Sequence, residues 1–213
     1  MATTAGPLSS SGEHDSADHP TAETKGERTR RRLLEVAVQR FGARGFRATS
    51  VSEIARAVGV TQAAAYAYFD NKEALYDAAV DHDAAAVIAS ARERAAGVSA
   101  RQLVPLLLLT ILAELETHPL ALRVVSGREP ETLARLVDLP AFEQLTTFIA
   151  TTVRAAQDAG EVRSDLDPDL FAAGAETLLL SLIISVSQVG SSTITRRQLG
   201  VVAIFDAVLR PPQ

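Results

Sequence analysis

Residues 49–73, T-S-V-S-E-I-A-R-A-V-G-V-T-Q-A-A-A-Y-A-Y-F-D-N-K-E, hold the tightest local instructions in the chain. Ser50 and Glu53 have the spacing of a capping box, in which each side chain satisfies an orphan amide of a helix's first turn. Ile54, Ala55 and Val58 then fall on one face of a helix of about two turns. Gly59 can take the left-handed conformation that stops it, and Val60 plugs the corner. Thr61 is a good N-cap for a second helix carrying Tyr66, Tyr68 and Phe69. A third helix starts at once, at Asp70 or Asn71. Two short helices at a sharp angle, the second exposing its N-terminal side chains, form a helix-turn-helix, which places a helix end in a DNA major groove.

Read together, R-F-G-A-R-G-F (40–46), T-S-V-S-E-I-A-R-A-V-G-V-T (49–61) and Y-A-Y-F-D-N-K-E-A-L-Y (66–76) resemble the TetR-type bacterial transcriptional regulators. The resemblance rests on an ordered series of positions over about a quarter of the chain. It implies a homodimer in which a three-helix N-terminal DNA-binding domain is followed by a larger helical domain for dimerisation and effector binding. Position by position, it implies that Thr49 holds a DNA phosphate and that Thr61, Gln62, Ala63 and Ala64 form the exposed end of the recognition helix. It further implies phosphate contacts from Tyr66, Tyr68 and Lys72. Gln62 can bond bidentately to an adenine edge, and the Ala64 methyl can meet a thymine methyl. One of the two tyrosines can equally be core, and Lys72 a solvated surface lysine. The chain departs from the family at Ala63, commonly glycine, and at Ala65, usually larger. The run Ala63–Ala65 therefore leaves few side chains to read bases, and affinity rests heavily on phosphates.

Charge agrees with that division. From Lys25 to Lys72 there are ten Lys/Arg against four acids, a balance of +6, so the rest of a chain of net charge −5 sums to −11. A basic module on an acidic body suggests phosphate binding by the first and not the second. At 213 residues, 47% hydrophobic and 22% charged, the composition is that of a soluble globular protein. There is no cysteine, which excludes disulfides and thiolate metal sites, and the scattered histidines predict no metal and no cofactor. No signal sequence is evident. The uncharged stretch 177–195 carries five serines, Gln188 and Gly190, a poor membrane span. A cytoplasmic protein with no membrane association is the expectation.

Along the chain, residues 1–24 are Ser/Thr/Ala/Gly-rich and read as a disordered tail, residues 25–72 as the DNA-binding domain, and residues 73–213 as the effector and dimer domain. The first helix should run from about Glu27 to Arg44, and the fourth to about Ala95 with an inward stripe of Leu75, Ala78 or Ala79, His82, Ala85 or Ala86 and Ala89. A buried helix follows Ser99, its regular part beginning near Arg101 because Pro105 is best tolerated early. Breaks fall at His118-Pro119, Ser126-Gly127, Glu129-Pro130 and Pro140. Helices at 141–159, from Asp167-Pro168 to about Val189, and from Thr195 to Pro211 complete an all-α chain of nine or ten helices.

The two final helices read as a dimer interface: Leu178, Ser181, Leu182, Ile183 and Ser185 on one, Val202, Phe205 and Leu209 on the other. A monomer with both helices buried internally remains the alternative. The candidate effector pocket combines Leu109, Leu112, Phe142, Leu145, Phe148 and Leu179 with the polar groups His82 and Arg123, though each apolar residue can be plain core and His82 a satisfied buried histidine. The functional expectation is a ligand-responsive homodimeric repressor on a palindromic operator, its half-sites about 34–36 Å apart. Two rivals stand beside it. One is a helix-turn-helix protein without a pocket whose second domain binds a protein. The other is a helical-bundle enzyme, which would need a nucleophile–base pair or metal that the sequence lacks.

Overall fold

The structure, a computed structural model, describes residues 1–2, 23–189 and 196–210. The expected tail falls almost wholly outside the described residues. Among those described are ten α-helices, a 3-10 helix and no strand. The helices are α1 (Lys25–Arg44), α2 (Val51–Val58), α3 (Gln62–Tyr66), α4 (Lys72–Arg94), α5 (Ala100–Glu114), α6 (Pro119–Val125), α7 (Pro130–Leu133), α8 (Pro140–Asp158), α9 (Pro168–Val189) and α10 (Arg196–Leu209); the 3-10 turn spans Leu136–Asp138.

Helix starts follow their caps. α1 begins two residues earlier than expected because Thr24 and Glu27 form a complete capping box. At α2 only half a box forms. Ser50 Oγ accepts from Glu53 N at 3.2 Å, while the Glu53 carboxylate turns to Arg44 at 2.6 Å. That pair holds the Glu53 carboxyl below its usual range, chiefly through the Arg44 hydrogen bond. Because the folded value is the lower one, this clasp is present above the ordinary carboxylate range and is lost as pH falls through the depressed value. Asn71 caps α4 through Ala74 N at 2.7 Å. In α5, Pro105 sits well inside the helix and Ser99 makes no side-chain cap.

The fourth helix corrects the expected stripe. Its buried positions are Leu75, Tyr76, Ala79, Val80, Asp83, Ala84, Val87, Ile88 and Ala91; His82 is half-buried, and Ala86 and Ala89 are exposed. The register is decided by Asp83, a carboxylate buried inside the fold. Its Oδ2 accepts from Leu120 N and Ala121 N at 3.1 and 2.8 Å, and its Oδ1 lies 2.7 Å from His118 Nδ1. Asp83 thus caps α6 from another helix, where negative charge is favoured.

One continuous core runs from Leu33 and Phe41 of α1 through α4, α5 and α8 to Phe205 and Leu209 of α10. α2 packs on both α1 and α3, and α1 lies along α4, while α8 and α9 form the most extensive pairing. Pro168–Gln188 is long and apolar enough to cross a membrane by length and composition, yet it is one wall of this bundle.

Candidate nucleic-acid interface and internal cavity

The short third helix owes its exposure to its cap. Thr61 Oγ1 accepts from Ala64 N at 3.1 Å, which fixes the first turn with Thr61, Gln62 and Ala63 outward, Ala64 half-buried and Ala65 in the core. After Tyr66, the amides of Ala67 and Tyr68 bond back three residues, to Ala64 and Ala65, closing the helix early. Tyr68 and Phe69 therefore lie beyond it, contrary to the expected longer helix. Tyr66 is exposed, with Gln62 Nε2 3.5 Å from its hydroxyl. Tyr68 is half-buried against the core, and Phe69 is buried beneath the Arg30 guanidinium at 5.1 Å. Among the described residues, the exposed Arg28, Arg32, Arg40, Arg47 and Arg56 make no ion pair, so this module keeps uncompensated positive charge.

Thr49 is a correction. It is 2% exposed, and its hydroxyl donates to Gly45 O (2.9 Å) or Arg40 O (3.2 Å), so it pins the α1–α2 corner and is closed to a phosphate. The outward hydroxyls at the start of α2 belong to Ser50 and Ser52, 3.0 Å apart. Ala67 is also exposed beside Tyr66. Ser50 was legible only as a cap, and a hydroxyl that caps a helix already faces out.

The same corner is held from the other domain. Phe46 stacks in a cluster with Phe41 and Tyr76, and the Lys72 ammonium lies 4.4 Å from its ring centre. Glu129 Oε1 accepts from both Phe46 N (3.3 Å) and Arg123 Nε (2.7 Å), locking the corner to the segment after α6. Burial pushes the Tyr76 phenol above its usual value, so it stays protonated where Thr132 donates to it at 3.1 Å. A polar cleft of about 570 Å³, bordered by Arg44, Arg47, Arg128 and Glu131, opens beside this lock. Gly45, at φ +82° and ψ 171°, makes it possible: an added Cβ would lie 2.4 Å from Arg123 Nη2 and 2.7 Å from Glu129 Oε1. Gly59 has the same positive φ with nothing within 4 Å. Gly45→Ala is therefore expected to cost several kcal/mol and Gly59→Ala only about 1 kcal/mol, compared by denaturant unfolding of the two variants.

Above this joint lies a cavity of about 50 Å³ lined by α4, α5, α6, α8, α9 and the 3-10 turn. Phe142, Leu145 and Leu179 line it together with Ile111, Val124 and Ile183; Glu176 is the one acidic residue of a lining whose surface is apolar. The other expected pocket residues lie elsewhere. Leu109 is 54% exposed, because α5 shows one face to solvent. Leu112 and His82 are half-buried outside the lining. Phe148 lies under the Arg92 guanidinium at 5.5 Å, and Arg123 is committed to Glu129.

Comparison with known proteins turns this geometry into a family. Residues 33–79, from the middle of α1 into α4, match the family described as bacterial regulatory proteins, tetR family. Its helix-turn-helix segment is that of a TetR-family regulator. It is 44% identical over 54 residues to the uncharacterized HTH-type transcriptional regulator YdgC of Bacillus subtilis, a match spanning 25% of this chain and 28% of that one. Over 167 residues it is 27% identical to the HTH-type transcriptional regulator UidR of Escherichia coli, covering 77% of this chain and 82% of that one. A TetR-family regulator structure from Rhodococcus sp. superposes with TM-score 0.63 at 22% identity, covering 85% and 98% of the two chains, which extends the likeness of fold into the C-terminal helices. These relatives are transcriptional regulators, not enzymes. Regulators of the TetR family bind DNA operators and act as dimers.

The expected dimer residues divide in two. Leu182, Ile183, Phe205 and Leu209 are buried within their own subunit, Phe205 with its ring edge-on to Phe171 at 5.8 Å and Ile183 on the cavity wall. Val202 is half-buried against the core. Leu178, Ser181 and Ser185 are exposed, and with them Leu170, Leu199 and Ile204. The Thr177 and Ser181 hydroxyls donate to carbonyls one turn back, Ala173 O and Thr177 O, so they are satisfied within α9.

Proposed function

We propose that this TetR-family regulator is a homodimeric repressor that binds a palindromic operator and is released when a small apolar ligand enters the cavity. In this reading residues 25–72 form the DNA-binding domain and residues 73–213 the effector and dimer domain, working on chromosomal DNA in the cytoplasm. Thr61, Gln62, Ala63 and Ala64 present the recognition end to base edges. Ser50, Ser52, Tyr66, Tyr68 and Lys72 surround it as phosphate and sugar contacts.

The observation that carries the ligand-responsive part is the position of α6. On one side its Ala121, Val124 and Val125 line the cavity. On the other, Pro119 and Leu120 press against Gly42 of α1, and Arg123 reaches Glu129 at the α1–α2 corner. A cavity of about 50 Å³ is a third of the roughly 150 Å³ that admits benzene in an engineered protein core. A larger ligand must therefore displace a wall, and α6, seven residues long, is with α4 one of the walls that touch the DNA-binding module. Sub-ångström shifts there change the angle of the recognition helix, because packed helices switch between discrete arrangements. By linkage, a ligand that weakens operator binding binds more weakly to the operator complex.

Selection of bound sequences from random DNA tests the reading, with a two-fold palindrome as the expected result and a single asymmetric site as the result against it. In the same assay Gln62→Ala should relax preference at one base pair of each half-site, by about 1–3 kcal/mol. An unchanged preferred sequence would remove Gln62 from base readout.

A further inference from the structure

Resting on the reading of Lys72 as a phosphate contact, we propose that Phe46 is its positioning residue, the ring seating the Lys72 ammonium before DNA arrives. Lys72 opens α4 and is half-buried, and its ammonium lies 4.4 Å from the Phe46 ring centre. That is well inside the roughly 6 Å over which a ring face attracts a cation. Carboxylates stand close by in the chain, Glu73 next to it and Asp77 just over a turn later. Among the described residues Lys72 pairs with neither, and Asp77 is taken by Arg135 at 3.3 Å. A ring draws a cation without neutralising it, so the charge is kept for a phosphate.

The seat is itself held in place. Phe46 is half-buried, its ring stacked with Phe41 at 6.1 Å and set against Tyr76 at 5.0 Å, and its amide donates to Glu129 Oε1 at 3.3 Å. Phe46 O accepts from Thr49 N at 3.4 Å, so the same turn runs straight into the Ser50 cap of α2. The open amides of a helix start favour an anion there. A free lysine is a compact charge on a flexible four-carbon stem, and ordering that stem on a phosphate loses entropy. The ring has already restricted it, so less is lost when the operator binds. A leucine at position 46 would fill the corner and attract no cation, whereas a tyrosine keeps the ring face.

The test measures operator binding by the full-length protein for wild type, Phe46→Leu, Phe46→Tyr, Lys72→Ala and the double variant Phe46→Leu/Lys72→Ala. Phe46→Leu should weaken binding about fivefold or more, and Phe46→Tyr should stay within about twofold of wild type. In the Lys72→Ala background Phe46→Leu should change affinity by less than about twofold, because the two residues act as one unit. An equal loss in both backgrounds means that Phe46 only packs the corner, and it overturns the positioning role. Lys72→Ala should also lower the salt slope by about one for each subunit bound. An unchanged slope overturns the phosphate contact itself and the positioning with it. A further measurement does not depend on how any substitution at position 46 folds. Lys25 and Lys72 are the only lysines of the chain, so reductive methylation with carbon-13, which keeps their charge, gives one NMR signal for each, assigned with Lys25→Arg. The Lys72 signal should lie upfield of the Lys25 signal, since a ring shields what sits over its face. A Lys72 signal level with that of Lys25 overturns the seat.

Discussion

Gly42→Ala should destabilise this protein, although a glycine inside a helix ordinarily gains about 0.5–1 kcal/mol on replacement by alanine. The sign reverses because of what the new methyl meets. A Cβ at Gly42 would lie 2.8 Å from the Pro119 carbonyl carbon and 2.9 Å from Leu120 N. These are backbone atoms of α6, so no flexible side chain can swing aside, and α6 must move off α1. Overpacking of this kind costs about 1–3 kcal/mol, a fall in Tm on the order of 5 °C for a chain of this size. Gly26→Ala is the control, since its nearest contact would be an ordinary 3.9 Å, and it should be neutral or slightly stabilising. The functional expectation is larger than the thermal one. Pushing α6 away from α1 imitates a ligand pushing it from the cavity side, and it disturbs Asp83 at the N-terminus of α6 and Arg123 near its end. Operator affinity should fall about tenfold or more, within the 1–3 kcal/mol usual for coupling between sites, while the recognition helix itself is untouched. A Gly42→Ala protein with unchanged Tm and unchanged operator affinity would show that α6 does not couple the two regions and leave α4 as the element that does.

Much of this architecture was readable because it is written in local chemistry. Pro168 and Val189 bound α9 where the sequence placed them, and the breaks at Pro119, Pro130 and Pro140 all start helices, since proline fits the first helical position. The helix-turn-helix was legible for the same reason: Ser50, Gly59 and Thr61 act within three or four residues of themselves. What failed to read was set by distant partners. Asp83 carries no motif of its own, and only α6, 37 residues on, explains its burial. The alanine-rich α4 offered no contrast to correct the register, because Ala86 outside and Ala84 inside have the same chemistry. Thr49 matched a family position but was claimed by the carbonyls of Gly45 and Arg40. In α9 and α10 the difficulty was the reverse. Helices apolar nearly all round carry no polar face to mark which leucines look inward, so Phe205 and Ile204 could be told apart only by the fold. Glu129 carried no motif at all, and its role depends on a corner 83 residues earlier.

That last ambiguity leads to the second large effect. In the single chain, α9 and α10 leave Leu170, Leu199 and Ile204 exposed at 74%, 56% and 55%, with Leu178 at 39%. The exposed positions between them are small: Ala173, Gly174, Ser181 and Ser185 on α9, Gly200 and Ala203 on α10. Small residues let a second pair of helices approach closely, and added Cβ atoms at Gly174 and Gly200 meet nothing in the single chain. A two-fold interface is self-complementary, so each substitution acts twice. Ile204→Glu or Leu178→Glu would place two unpaired charges at a packed apolar seam, at several kcal/mol. The expected outcome is a folded monomer by sedimentation and circular dichroism that no longer retards operator DNA, because a lone half-site reader binds weakly. Val137→Glu, also exposed but on the 3-10 turn away from α9 and α10, should leave both dimer and DNA binding intact. Phe205→Glu should instead unfold the chain, since that ring is buried in its own subunit. An Ile204→Glu protein that stays dimeric and retards DNA normally would move the interface off this face.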